Sequence, residues 1–285
     1  MTDPTAAWRE KVAALGPFAA FETHPADSEL VLPWRALSEV TREGNGILRE
    51  RITAVRGALA ARGGRPAEAV EERVAASVAH LGLVARVLSP MLGLAALHAL
   101  PARPPGLDEL RWHSGLGGAF ALSLPRETVA AVAMSGSGSG SGSGSVVNHG
   151  TDPDAEAGAD ARAGAAAMDA MLDGPIRELN DAVAAFSVSP RVLWGNVASA
   201  VNGAATGIAA AAPALARPAR TAALLLLHRP RLRDTHTLGA PLDGPPDDSP
   251  AAPNARFRRR SCCLIYRAAP NAAGATCGDC VLVRP

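Results

Sequence analysis

Cys262, Cys263, Cys277 and Cys280 are the only cysteines of the chain, and all four fall within residues 261–285 in the pattern C-C-x13-C-x2-C. Thiolates in such a cluster are soft donors suited to zinc and to iron–sulfur centres. In C-G-D-C a short turn can aim the sulfurs of Cys277 and Cys280 at one metal, and Gly278 can take the backbone angles such a turn requires. The adjacent pair is less ordinary. Neighbouring side chains of an extended segment point to opposite sides. One ion held by both would close a tight ring, whereas two irons relax that demand. By ligand count, four thiolates suit [2Fe–2S], [4Fe–4S] or Zn²⁺ equally. Structural zinc usually takes two C-x2-4-C knuckles, and this chain has one. A Cys277–Cys280 redox disulfide belongs at a helix start in a βαβ setting, which the flanking residues lack. A metal centre is the expected role, with iron–sulfur ahead of zinc. The rival reading is a non-redox helical binding protein with a structural four-cysteine zinc site.

The residues around the thiols are strongly basic. Arg256, Arg258, Arg259, Arg260 and Arg267 read either as solvated charges paired with acids such as Asp279, or as cations flanking the centre. In the second case they would raise its reduction potential and attract an acidic partner. Arg259, Arg260, Arg267 and Trp194 are the candidate substrate or donor contacts. A Trp in a small-residue helix is most often core packing, and Asn196 beside it would satisfy a buried backbone group. The seven histidines are scattered, without H-x-x-x-H or H-E-x-x-H. No G-x-G-x-x-G follows a strand and no Walker loop occurs, so no nucleotide or flavin site is expected and electrons must come from another protein.

The elements that must position these groups are mostly helical. The 285 residues are 48% hydrophobic but 4% aromatic, with alanine favouring close helix contacts, and a net charge of +1 excludes a global nucleic-acid binder. The acidic start, with Asp3 and Glu10, is not a secretory signal, and the apolar residues 221–228 are too few to cross a bilayer. A cytoplasmic chain without stable membrane insertion is expected. Asp3 and Pro4 open a first helix that Gly16 ends. A second helical segment begins near Pro33, with a break at Gly44–Gly46. Val70, Val74, Leu81, Val84, Leu88 and Leu92 mark a buried helical face, kinked or divided by Pro90. Residues 110–113 and 119–124 form a hairpin about a Gly-rich turn. The Ser-Gly tract at 135–145 is a flexible spacer that looks engineered. Helices follow at 154–172, 175–186, from a Ser189-Pro190 cap, and near 220–227, and a surface loop covers 230–253. The fold class is mainly α (α+β). Its parts are a helical 1–134 with the hairpin near 109–124, the 135–145 linker, a helical 146–255 and a cluster-binding 256–285.

R-R-x-C-C-L-x-Y-R from Arg259 to Arg267, followed by C-G-D-C-x-L from Cys277 to Leu282, resembles the C-terminal signature of FhuF-like ferric-siderophore reductases. S-x-R-V-L-W-G-N-V-A-S from Ser189 to Ser199 is similar to the segment ahead of that signature. The family pattern has about ten residues between the second and third cysteines, where this chain has thirteen, a loop extension of the kind surfaces absorb. The resemblance implies a [2Fe–2S] cluster on Cys262, Cys263, Cys277 and Cys280. It also implies one-electron reduction of a ferric siderophore, hydroxamate type favoured, with a ferredoxin- or flavodoxin-like donor. Reduction would release the metal because hard siderophore oxygens hold Fe(III) far more tightly than Fe(II).

Overall fold

The computed structural model describes residues 5–44, 46–113, 115, 119–136, 166–239, 256–268 and 276–282. Seven helices have both ends described: α1 (Ala6–Ala13), α2 (Ile47–Arg62), α3 (Glu72–Ala96), α4 (Arg126–Gly136), α5 (Pro175–Ala184), α6 (Pro190–Ala211) and α7 (Ala216–Leu227). Residues 166–173 are helical as well. The strands are β1 (Glu22–His24), β2 (Arg35–Ala36), β3 (Arg111–Trp112), β4 (Leu122–Pro125), β5 (His236–Gly239) and β6 (Arg256–Arg259).

Helix α3 is the axis of the body. It is apolar almost all round, so it is buried on nearly every side. It packs most extensively along α6, and also against α2, α5 and α7. Gly93 lets α1 come close: a Cβ there would stand 3.2 Å from both Val12 and Leu15. By length and composition α3 could cross a membrane, yet 72% of its apolar window lies inside the body. The hydrophobic core is continuous across both sides of the Ser-Gly tract, from Val12 and Leu83 to Leu193 and Leu226. Truncating one such leucine to alanine costs about 2–5 kcal/mol.

Two buried arginines, Arg86 of α3 and Arg51 of α2, tie the sheet region to the helices. The Arg86 guanidinium donates to the carbonyls of Phe120, Phe18 and Ala20 at 2.6, 2.7 and 2.5 Å. Arg51 lies over the rings of Trp112 and Phe120. The first sheet has the order β1-β4-β3-β2, with β1 parallel to β4 and the other pairs antiparallel.

Several sequence expectations change. The helix expected from Pro33 is instead strand β2 and a 3-10 turn at Leu37–Val40. The sheet captures this backbone, since Leu37 and Ser38 donate their N–H groups to the carbonyls of Leu110 and Leu107. The expected hairpin forms as β3 and β4 but is the centre of a four-stranded sheet. Gly44 and Gly46 both have positive φ and precede α2 as the expected break. Pro90 does not divide α3, which runs through it unbroken. Ser189 holds the extended cap position with Pro190 following, but its side chain makes no capping bond. The expected 230–253 loop supplies β5, which pairs with β6 and forms the second sheet. The cap at Asp3 and Pro4, residues 154–165, and 137–145 of the Ser-Gly tract lie outside the described residues.

Candidate metal centre

Strand β6 delivers the first two thiols. It pairs with β5 in the register His236↔Arg259 to Gly239↔Arg256, and the His236 ring stacks on Phe257 with centroids 5.2 Å apart. The chain then passes through Ser261 into Cys262 and Cys263. Leu264 follows at φ 70, a left-handed conformation that costs a residue with a Cβ about 1–2 kcal/mol. Three contacts hold it there. Ser77 Oγ donates to the Cys263 carbonyl at 2.9 Å, Arg267 pairs with Glu71 at 2.5 Å, and Ala268 is buried with Ala60, Val70 and Val74. The sharp bend breaks the extended run of the chain just after the adjacent cysteines. The Leu264 N–H donates to Cys262 Sγ at 3.3 Å, and the Ile265 N–H donates to the Cys263 thiolate.

The second pair sits on a turn in which the Cys280 N–H donates to the Cys277 carbonyl at 3.1 Å. The Leu282 N–H donates to Cys280 Sγ at 3.3 Å. Such N–H···S bonds stabilise thiolates and tune a centre built on them. The turn does not draw on glycine's freedom at Gly278, whose φ is not positive and where a Cβ would meet nothing. The turn is docked on α6, where Ser199 Oγ donates to the Asp279 carboxylate, and on β6, where the Arg259 N–H donates to the Asp279 carbonyl at 3.1 Å. Burial raises the Asp279 pKa, opposed by the Ser199 hydrogen bond and the charge of Arg259.

Cys263 and Cys280 are buried, while Cys262 and Cys277 are half-buried. A hydrogen bond from the Cys277 thiol, the largest influence, holds Cys263 down to about 6, and that same bond pushes Cys277 well above the ordinary thiol value. Burial raises Cys262. The charges of Cys263 and Cys280 add to the upward shift of both Cys262 and Cys277. Among the described residues, no three His, Cys, Asp or Glu side chains have the arrangement of a single-ion site. A binuclear cluster does not ask for that convergence, because its thiolates are divided between two irons.

Arg259 is 1% exposed, so it is not the surface contact for a substrate or donor that its sequence position suggested. Its Nη2 donates to Asn196 Oδ1 at 2.6 Å and to the Val192 carbonyl at 3.3 Å. Its Nε and Nη1 have no partner among the described residues. Its charge lowers the pKa values of Cys262, Cys263 and Cys277. A buried cation with two unpartnered nitrogens beside Cys262, Cys263 and Cys277 fits an anionic centre. The residues present therefore suit a [2Fe–2S] cluster, a dianion when oxidised, in donor type, N–H···S bonding and charge.

Other candidates take different places. Arg260 is exposed, and its carbonyl accepts from Arg191 Nη2 at 3.3 Å. Arg267 is spent on Glu71. Trp194 packs on the core under the Arg231 guanidinium, 5.5 Å from its ring centre, and Arg231 is held by Asp173 at 2.8 Å.

The sequence reading missed the support behind Arg259. Asn196 Nδ2 donates to the Ser77 carbonyl at 2.9 Å and to Ser77 Oγ and His80 Nδ1 at 3.2 Å. His80 Nε2 donates to Asn180 Oδ1 at 2.7 Å. Burial lowers the His80 pKa to about 4. No local pattern announces this network, although Asn196 lies in one of the two stretches that carry the resemblance.

A groove of about 710 Å³ opens beside Cys277. Phe18, Leu81, Gly203 and Gly207 form its apolar walls, and Cys277 and Asp279 form its polar end. Among the described residues, no Arg, Lys or His lines it.

Residues 259–282 match the FhuF 2Fe-2S C-terminal domain family. The match includes all four cysteines and Arg259, and it begins after α6 and its Trp-Gly-Asn segment. No curated protein and no solved structure matches the chain.

Proposed function

We propose, from a closing segment that is a 2Fe-2S domain of the FhuF type, that the chain reduces ferric siderophores one electron at a time. The observation that carries this reading is that Cys277, one of the four thiols the reading assigns to the cluster, lines a groove of about 710 Å³. That volume lies in the range of small-molecule sites. A chelate seated there stands against a cluster ligand, so outer-sphere transfer needs no further group.

The groove also speaks to the substrate. Among the described residues its lining offers an acid, Asp279, and no cation. A ferric trihydroxamate is neutral, whereas a ferric catecholate complex is strongly anionic and would face the carboxylate and the thiolates, with the buried Arg259 behind them offsetting only part of the repulsion. The hydroxamate class is favoured on that ground. When bound, the cluster supplies a single electron to Fe(III), and Fe(II) leaves its hard-oxygen ligands readily. A ferredoxin- or flavodoxin-like protein of the cytoplasm restores that electron. Phe18 and Leu81 give the groove apolar walls, and the N–H groups of Leu264, Ile265 and Leu282 hold the thiolates in place.

The test is anaerobic purification with visible spectroscopy and assay of iron and sulfide, followed by reoxidation of the dithionite-reduced protein. Bound iron and sulfide in equal amounts, and rapid reoxidation by a ferric trihydroxamate, are expected. Cys→Ser at each of the four positions should abolish or strongly perturb the spectrum. A colourless protein with stoichiometric zinc, or a cluster that neither hydroxamate nor catecholate complexes reoxidise, would sink the proposal.

A further inference from the structure

We infer that Asn196 is a positioning residue for the centre's reduction potential: it holds the Arg259 guanidinium beside the thiols with a neutral acceptor, so that the guanidinium enters no ion pair among the described residues. The inference rests on the cluster assignment above.

The geometry leaves Asn196 no choice of orientation. Its Nδ2 is taken up by Ser77 and His80 on α3, so Oδ1 must face Arg259. Flipping the amide would set donor against donor at Arg259 and lose these bonds. The preceding residue matters as well. A Cβ on Gly195 would lie 3.1 Å from Arg259 Nη2 and 2.3 Å from Ser261 Oγ, so the missing side chain is what admits the guanidinium to the helix surface. Two consecutive residues of α6 thus provide the space and the acceptor.

The type of acceptor decides the electrostatics. A carboxylate at this position would form a buried ion pair and cancel the field of Arg259 at the sulfurs. An amide and a backbone carbonyl hold the guanidinium by hydrogen bonds without neutralising it. The remaining Nε and Nη1 have no partner among the described residues. In this buried setting the charge is weakly screened and acts on Cys262, Cys263 and Cys277. A fixed cation favours the reduced, more negative state and so raises the potential. Ser77 joins the same network to the Cys263 carbonyl, which ties the position of the cation to that of a ligand.

The experiment is a mediated redox titration of the cluster-loaded full chain, followed by visible and paramagnetic resonance spectra. Asn196→Asp is nearly isosteric and places a carboxylate opposite the guanidinium. It should keep the oxidised spectrum and lower the one-electron reduction constant at least tenfold, about 59 mV. Arg259→Gln should shift the potential in the same direction, and Arg259→Lys should recover most of the loss. A loaded Asn196→Asp protein that titrates at the wild-type potential overturns the inference, whatever its melting temperature. If Asn196→Asp does not load, Arg259→Gln decides in the same titration. Failure of both to load while helicity is intact would make the pair an assembly element and overturn the inference too. A wild-type protein without any cluster is a different outcome, and it defeats the reductase reading itself.

Discussion

Ser199 Oγ, on helix α6, donates a 2.5 Å hydrogen bond to the Asp279 carboxylate, between the third and fourth cysteines. It fastens the second cysteine pair to the central helices across 80 residues of chain. The same contact forms one end of the groove beside Cys277.

Ser199→Ala removes that donor and leaves a half-buried carboxylate with one partner fewer. The expected cost is about 1–3 kcal/mol. Because the loss falls on the turn that holds Cys277 and Cys280, the cluster should bleach several times faster in the presence of an iron chelator. Unchanged bleaching kinetics would show that the turn is held by the Arg259 N–H on the Asp279 carbonyl and by Arg258 Nη2, which donates to the Cys280 carbonyl at 3.4 Å.

Gly195→Ala tests how closely β6 approaches α6. The new methyl group would stand 2.3 Å from Ser261 Oγ, which now donates to the Arg191 carbonyl at 3.0 Å. The hydroxyl must leave that bond and the guanidinium of Arg259 must yield. Crowding of this kind costs about 1–3 kcal/mol, more than the roughly 0.5–1 kcal/mol that alanine gains over glycine within a helix. A lower urea midpoint is expected, and a stabilised variant would contradict the packing.

Gly203 gives the opposite result, since a Cβ there meets nothing. Gly203→Ala should stabilise the chain by about 0.5–1 kcal/mol. Gly203→Leu should fill the groove, leave the visible spectrum and potential unchanged, and slow reoxidation by a ferric trihydroxamate at least tenfold. Equal rates for Gly203→Leu and wild type would remove the groove as the substrate seat.

His80 predicts an acid limb in stability. It is fully buried, and burial holds its pKa at about 4 against an ordinary value of 6.5. Asn180 and Asn196 hydrogen bond its ring, and the charge of Arg259 further opposes its protonation. The unfolded chain therefore binds the proton more tightly. Stability is complete above pH 6.5 and falls as the pH drops towards 4, by about 3 kcal/mol at most. Thermal denaturation between pH 4 and 7 should show this decline in the wild type and a flatter profile in His80→Gln. An identical decline in the variant would assign the acid limb elsewhere, His24 being the first alternative because its pKa is also lowered to about 4.

Much of the molecule was legible before any coordinates. Helices α3, α5 and α6 follow from apolar periodicity and from proline and glycine punctuation, which act over a few residues. The hairpin at Arg111–Trp112 and Leu122–Pro125 followed from two apolar runs about a Gly-rich turn. The four thiols were legible because they gather in one short segment, while ligand count left [2Fe–2S], [4Fe–4S] and zinc open and the resemblance of residues 259–267 and 277–282 pointed to [2Fe–2S].

Tertiary structure decided the rest, because the deciding contacts join distant parts of the chain. Strand β1 is too short to carry a pattern and exists through its partner β4, about a hundred residues later. Arg259 reads as one charge in a basic run, yet β5, α6 and the Asp279 turn close over it and make it the buried cation of the site. Asn196 reads as a polar residue in a helix until Ser77 and His80 fix its amide and aim it at that cation. The left-handed bend at Leu264 has no signal in its residue type and is held by Ser77, Glu71 and the small core around Ala268. Local chemistry names the ligands, and long-range packing sets the charge, burial and access that govern what those ligands do.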